Sequence, residues 1–195
     1  MKNADYWISK LSLIKHQEGG FYRRTYSSDE LLEQNVLPNR FTSPRLISTA
    51  IYYLLKWDQV SLLHRLKSDE LWHFYTGNPL TIHVINQQKQ FDKIILGPGI
   101  ENHQVFQATI KAGCWFGATV NNSDGYSLVG CTVAPGFDFR DFEIGNREEL
   151  VSQYPEHRSI IERLTEPIRR IVAVHGLKLE KLSPKLNGFI NSTKA

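Results

Sequence analysis

The chain has 195 residues, 41% of them hydrophobic and 22% charged, which excludes a disordered chain, a collagen and a coiled coil. Its longest nearly apolar stretch, 46–55, is broken by Ser48 and Thr49 and falls well short of the roughly 20 residues a membrane-crossing helix takes, and the start has an early acid and no apolar signal-peptide core. The formal net charge of +3 is uneven: residues 165–195 hold six basic side chains against two acids, while the first 164 are close to neutral. The body therefore lacks the basic surface of a nucleic-acid binder.

In chain order, Trp7, Leu11 and Ile14 fall at i, i+4 and i+7, so a helix is expected. Asn3 or Asp5 would cap its start and Gly19-Gly20 would end it. The aromatic and β-branched run 21–26 reads as a strand. Residues 27–40 form a polar excursion with Leu31 and Leu32, read as a short helix or loop. From residue 45 onward short β-rich runs follow one another, at 46–55, 59–66, 70–76, 80–86, 91–96, 104–110, 115–120 and 126–134. Each is closed by turn residues such as Gly77-Asn78-Pro79, Gly97-Pro98-Gly99 and Asn121-Asn122-Ser123-Asp124-Gly125. No helical segments separate these runs, so they cannot be parallel βαβ units; an all-β barrel or sandwich is expected. Helical pattern resumes at 147–154 and 156–164, until Pro167 interrupts it. The expected organisation is one domain over 1–164 and a basic extension over 165–195.

Cys114 and Cys131 lie in apolar, strand-like surroundings and no C-x-x-C occurs, so two buried thiols in a reducing cytoplasm are expected. There is no phosphate-binding loop, no dinucleotide fingerprint and no G-x-S-x-G nucleophile elbow. The chemistry-bearing residues concentrate at 63–77, which hold His64, Glu70, His73, Arg65, Asp69 and three aromatic side chains. Strand alternation puts Glu70, Trp72 and Phe74 on one face and Leu71, His73 and Tyr75 on the other. The remaining histidines, His16, His83, His103, His157 and His175, are isolated in sequence and are read as surface or packing residues.

Glu70 followed six residues later by Gly77 resembles the end of the first cupin motif. In addition, Glu18-Gly19-Gly20, residues 48–55, His64-Arg65, residues 69–75 and residues 130–139 resemble, in order, the DUF985 branch of the cupin superfamily. The resemblance covers about residues 6–164 and implies a double-stranded β-helix, that is, a jelly-roll barrel open at one end, with an N-terminal helix and a C-terminal helical region. It also implies a homodimer and a sugar-epimerase-like site. In a metal-binding cupin the first motif supplies two His and one Glu and the second supplies one His. Here His64 and Glu70 match two of those positions, Leu66 replaces the second His, and Phe116 stands where the last His would be. Neither metal nor other cofactor is therefore expected.

Without a metal, a His and a Glu in an aromatic-lined cavity can still exchange protons with a small polar, sugar-like metabolite. The catalytic candidates are His64 as general base and Glu70 as its orienting or proton-shuttling partner. Candidate ligand contacts are Trp72, Trp115 and Phe116 as aromatic walls, Arg24 (with Arg23 as the alternative) as an anion holder, and His73. Against the enzyme stands a ligand-sensing barrel without turnover; a metal-dependent oxygenase is disfavoured by Leu66 and Phe116.

Overall fold

The computed structural model describes residues 2–166, in two compact units that divide between Gly145 and Asn146. The basic extension expected from residue 165 lies almost wholly outside the described residues.

Asn3 caps the first helix, α1 (Ala4–Lys10), its side chain accepting from the Tyr6 amide at 3.0 Å. The helix stops earlier than the periodicity suggests. Ser12 takes a left-handed φ of 51°, and Ile14–Lys15 becomes a short strand, β1, paired with β2 (Phe21–Ser27). Gly19 and Gly20 therefore do not end the helix; they build the β1–β2 turn at φ of 105° and 68°. The polar excursion holds a two-residue strand, β3 (Leu31–Leu32), paired with β4 (Arg45–Leu46), and a single 3₁₀ turn at Gln34–Val36.

The remaining strands follow the expected runs. They are β5 (Thr49–Lys56), β6 (Val60–Leu66), β7 (Asp69–Gly77), β8 (Leu80–Ile85), β9 (Phe91–Leu96), β10 (Gln107–Ile110), β11 (Trp115–Val120), β12 (Tyr126–Ala134) and β13 (Phe142–Ile144). They form a six-stranded sheet, β1-β2-β5-β12-β7-β10, and a five-stranded sheet, β13-β6-β11-β8-β9. Every ladder is antiparallel, and the result is a jelly-roll sandwich.

The inward face of each strand changes character along its length. On β5, Tyr53 and Leu55 join the buried core while Thr49 and Ile51 line a cavity; on β12, Val129 is core while Cys131 and Val133 line it. One end of the interior is thus packed with hydrocarbon, including Leu80, Ile82, Leu96 and Ala118 at 0% exposure. The other end is hollow. Outside the six-stranded sheet, α1 sets Trp7 and Ile8 against Leu54 and Leu128. In the second unit, α2 (Arg147–Gln153) and α3 (Arg158–Arg163) pack together, and Arg147 donates to the Thr165 and Glu162 carbonyls. Among the described residues no helix is long and apolar enough to cross a membrane. Both cysteines are free and buried.

Candidate functional site

The hollow end is a cavity of about 460 Å³, in the range of small-molecule sites. Four titratable side chains share its floor: His16, Glu18, His64 and Glu70. Two local irregularities bring them together. The first is the β1–β2 turn. A Cβ on Gly19 would stand 2.2 Å from the Val60 carbonyl oxygen, and one on Gly20 would stand 2.7 Å from that of Leu54. Only glycines at positive φ allow so close an approach. The approach buries Glu18, whose own carbonyl accepts from the Leu62 amide at 2.7 Å.

The second is a bulge in β6. Phe116 pairs with His64, but Ala118 pairs with Ser61 rather than with Leu62. Phe116 and Ala118 both face the core, so their partners His64 and Ser61 face inward too, three residues apart. Ser61 donates to Glu18 Oε1 at 3.0 Å, and His64 Nε2 lies 3.3 Å from Glu18 Oε2. Strand alternation alone cannot anticipate that arrangement.

The proton positions follow from the partners. The Leu62 carbonyl can only accept, so His64 Nδ1 carries a hydrogen and donates it at 2.7 Å. In the neutral ring Nε2 is then a lone pair, and the carboxyl facing it must supply the shared proton. Burial accounts for both preferences. It lowers the His64 pKa to about 4, offset by the bond to Leu62, and it raises that of Glu18, offset by His16, Ser61 and Tyr53. Glu70 is buried as well. Burial and then the nearby Glu18 push its pKa up to about 8, against the Trp72 indole N–H that donates to Oε2 at 3.0 Å. His16 is shifted down by burial, with Glu18 pulling the other way, and its Nδ1 accepts from the Glu18 amide at 3.3 Å. Burial thus works against charge on each of the four groups of the floor.

The predicted residues divide sharply. His64, Glu70 and Arg24 line the cavity. Arg23 borders the cavity as well, but the two arginines differ in partners: Arg24 pairs with cavity-lining Ile51, whereas Arg23 pairs with Tyr52 and its guanidinium stacks on that ring at 5.7 Å. Trp72 and Phe116 stand behind the floor instead of forming a wall: Trp72 bonds Glu70, and the Phe116 ring lies 4.1 Å from that of His64. Trp115 alternates to the opposite face of β11, under the Arg65 guanidinium at 4.5 Å. His73 points out of the other sheet, next to Gln107 and Thr132. The carboxylate that touches His64 is Glu18, not Glu70. Glu18 and His16 escaped the sequence reading because each is unremarkable until the Gly19-Gly20 turn buries it. The His-x-Glu-Gly-Gly spacing is the signal that would have found them. The aromatic wall is made instead by Phe137, Phe139 and Phe142, packed edge to face at 5.1–6.3 Å.

The donor set does not fit the metal of typical cupins. Leu66 puts hydrocarbon into the cavity at one ligand position, and at another the Phe116 ring, packed behind His64 at 4.1 Å, offers no donor atom. Among the described residues no group of three or more His, Cys, Asp or Glu is arranged to hold a metal ion.

The family described as Cupin superfamily (DUF985) matches residues 5–145. A Shewanella oneidensis protein of known structure is 39% identical, aligned over 86% of this chain and 99% of its own, with a TM-score of 0.76. A hypothetical protein from Leishmania major is 34% identical over 84% and 98%, with a TM-score of 0.77. A cupin-2 domain from Rhodospirillum rubrum shares the fold alone, at 11% identity and a TM-score of 0.53 over 78% of this chain and 87% of its own. No curated protein matches the sequence significantly.

Proposed function

For a chain that belongs to the DUF985 family of the cupin superfamily, we propose a metal-independent isomerase or epimerase that moves a proton on the carbon beside a carbonyl in a small polar metabolite. The observation that carries this reading is the burial of Glu18, His64 and Glu70 together in one ligand-sized cavity, with Glu70 holding its proton to a pKa of about 8. Such a group is a proton donor at neutral pH, and a base beside it completes an acid–base set.

The Glu18–His64 pair acts as that base. When Glu18 is ionised the pair lacks one proton. It takes one from the substrate carbon, and the proton then lies between Oε2 and Nε2. The electrons of the broken C–H bond form the enolate double bond, and the carbonyl oxygen takes the Glu70 proton. Return of a proton to carbon gives the isomer or the epimer. Trp72 holds Glu70 in place, and Phe116 and Phe142, with ring centroids 4.1 and 5.3 Å from His64, hold the imidazole.

Exchange of a carbon-bound hydrogen with deuterated water tests the reading. The wild type should catalyse exchange in a keto compound it binds, and Glu18→Gln and Glu70→Gln should each lose that activity while remaining folded. Binding without any exchange would favour the second reading, a sensing barrel. One observation supports that second reading: both ring nitrogens of His64 already have partners within the protein. The homodimer implied by the resemblance is likewise a proposal, checked by the solution mass. The two buried thiols suit a reducing compartment.

A further inference from the structure

The lining above the floor bears on the substrate class, an inference that rests on the proton-transfer reading. A sugar carries a hydroxyl on nearly every carbon, and each needs a partner once water is excluded. The walls here supply few. Ile51, Leu66 and Val133 offer only hydrocarbon, as do Phe137 and Phe142. The lining hydroxyls are those of Ser12, Tyr22 and Thr49, and Thr49 already accepts from the Phe137 amide at 2.9 Å.

The rim differs again. Ile14 and Phe139 are 62% and 51% exposed while still lining the cavity, so the apolar wall continues out to the mouth. The Arg24 side chain is exposed on the cavity side of β2 and, among the described residues, makes no ion pair or side-chain hydrogen bond. A cation without a carboxylate partner, beside an apolar wall, suits an anion attached to an apolar body.

We propose that the cavity takes compact carbonyl-bearing carboxylates with an aromatic or branched apolar body: the carboxylate meets Arg24, the apolar body lies on Phe137 and Phe142, and the carbonyl with its adjacent C–H reaches Glu18, His64 and Glu70. A sugar-like ligand, expected from the resemblance, suits these walls poorly.

The test uses the full chain and three probes. 3-Phenylpropionate reports binding without an enolisable ketone, phenylpyruvate reports exchange at its C3 hydrogens, and fructose 6-phosphate is the polyol anion. Calorimetry should give 3-phenylpropionate a Kd about tenfold or more below that of fructose 6-phosphate, and Arg24→Gln should weaken it by about tenfold. Equal or tighter binding of fructose 6-phosphate overturns the inference, as does failure of 3-phenylpropionate to bind or indifference to Arg24→Gln. Exchange at phenylpyruvate C3 above the protein-free rate supports both readings. Binding of 3-phenylpropionate with no acceleration of that exchange supports the ligand class and removes the proton-transfer reading. Exchange in fructose 6-phosphate but not in phenylpyruvate does the reverse.

Discussion

The two ends of the sandwich interior are built by the same strands and differ in what fills them. At the packed end Leu80, Ile82, Leu96, Ala118 and Val129 have no exposure at all. At the open end the same sheets carry His64 and Glu70, the β1–β2 turn adds Glu18, and the walls face a void of about 460 Å³. The packed end supplies the burial that stabilises the fold, so the open end can hold polar groups that cost stability. What secures the open end is polar. Buried Arg45 donates to Asp141 through Nε and Nη2 at 2.5 and 2.7 Å, which ties β4 to the Phe139–Asp141 turn beside the phenylalanine wall.

That contrast can be broken by mutation. An effect among the largest is expected from Arg45→Ala, which leaves the buried Asp141 carboxylate only Lys67, 3.5 Å away, as a cationic partner; about 3 kcal/mol should be lost in denaturant melts. An Arg45→Ala protein of unchanged midpoint would mean the mouth is held by something else. Next, Ile82→Ala should cost about 3 kcal/mol, because the packed end cannot collapse around the space, while Val133→Ala on the cavity wall should cost less than half of that. Equal losses would show the two ends to be packed alike.

The floor adds a smaller, pH-dependent effect. The folded pKa of Glu70, about 8, lies above its ordinary value of 4.5. Its protonated form is therefore favoured by folding, and the stability it contributes is present below pH 4.5 and lost as pH rises through 8. His64, lowered from 6.5 to about 4, works in the opposite direction: its contribution is present above pH 6.5 and lost as pH falls through 4. Thermal melts of Glu70→Gln should consequently lose part of the decline toward pH 8, and those of His64→Gln part of the decline toward pH 4. An unchanged alkaline limb in Glu70→Gln would place that carboxyl in water. The smallest effect should come from Arg24→Gln. Its side chain is exposed, so stability should stay within about 0.5 kcal/mol of the wild type, and any larger loss would give Arg24 a structural role.

Much of this was legible in the residues themselves. Alternation and turn chemistry placed the strands from β5 to β12 nearly where they stand, because period-2 patterning and Gly, Pro and Asn punctuation are local properties. The same alternation correctly set Glu70 and Trp72 on the face opposite His73. Local reasoning failed where the backbone departs from regularity. Ser12 at positive φ ended α1 early and turned Gly19-Gly20 from a helix stop into the turn that buries Glu18. Trp115 and Phe116, adjacent in sequence and both read as cavity walls, fall on opposite faces of β11 with neither one lining the void.

The sequence by itself determined the sheet-rich architecture and the sharing of one strand face by Glu70 and Trp72, since hydrophobic period and turn residues act over a few positions. Only the tertiary structure decided which carboxylate meets His64 and which arginine is engaged by an aromatic ring. Those outcomes depend on the bulge opposite Phe116 and on the pairing of β2 with β5, and register between strands distant in sequence is settled by packing against a common core.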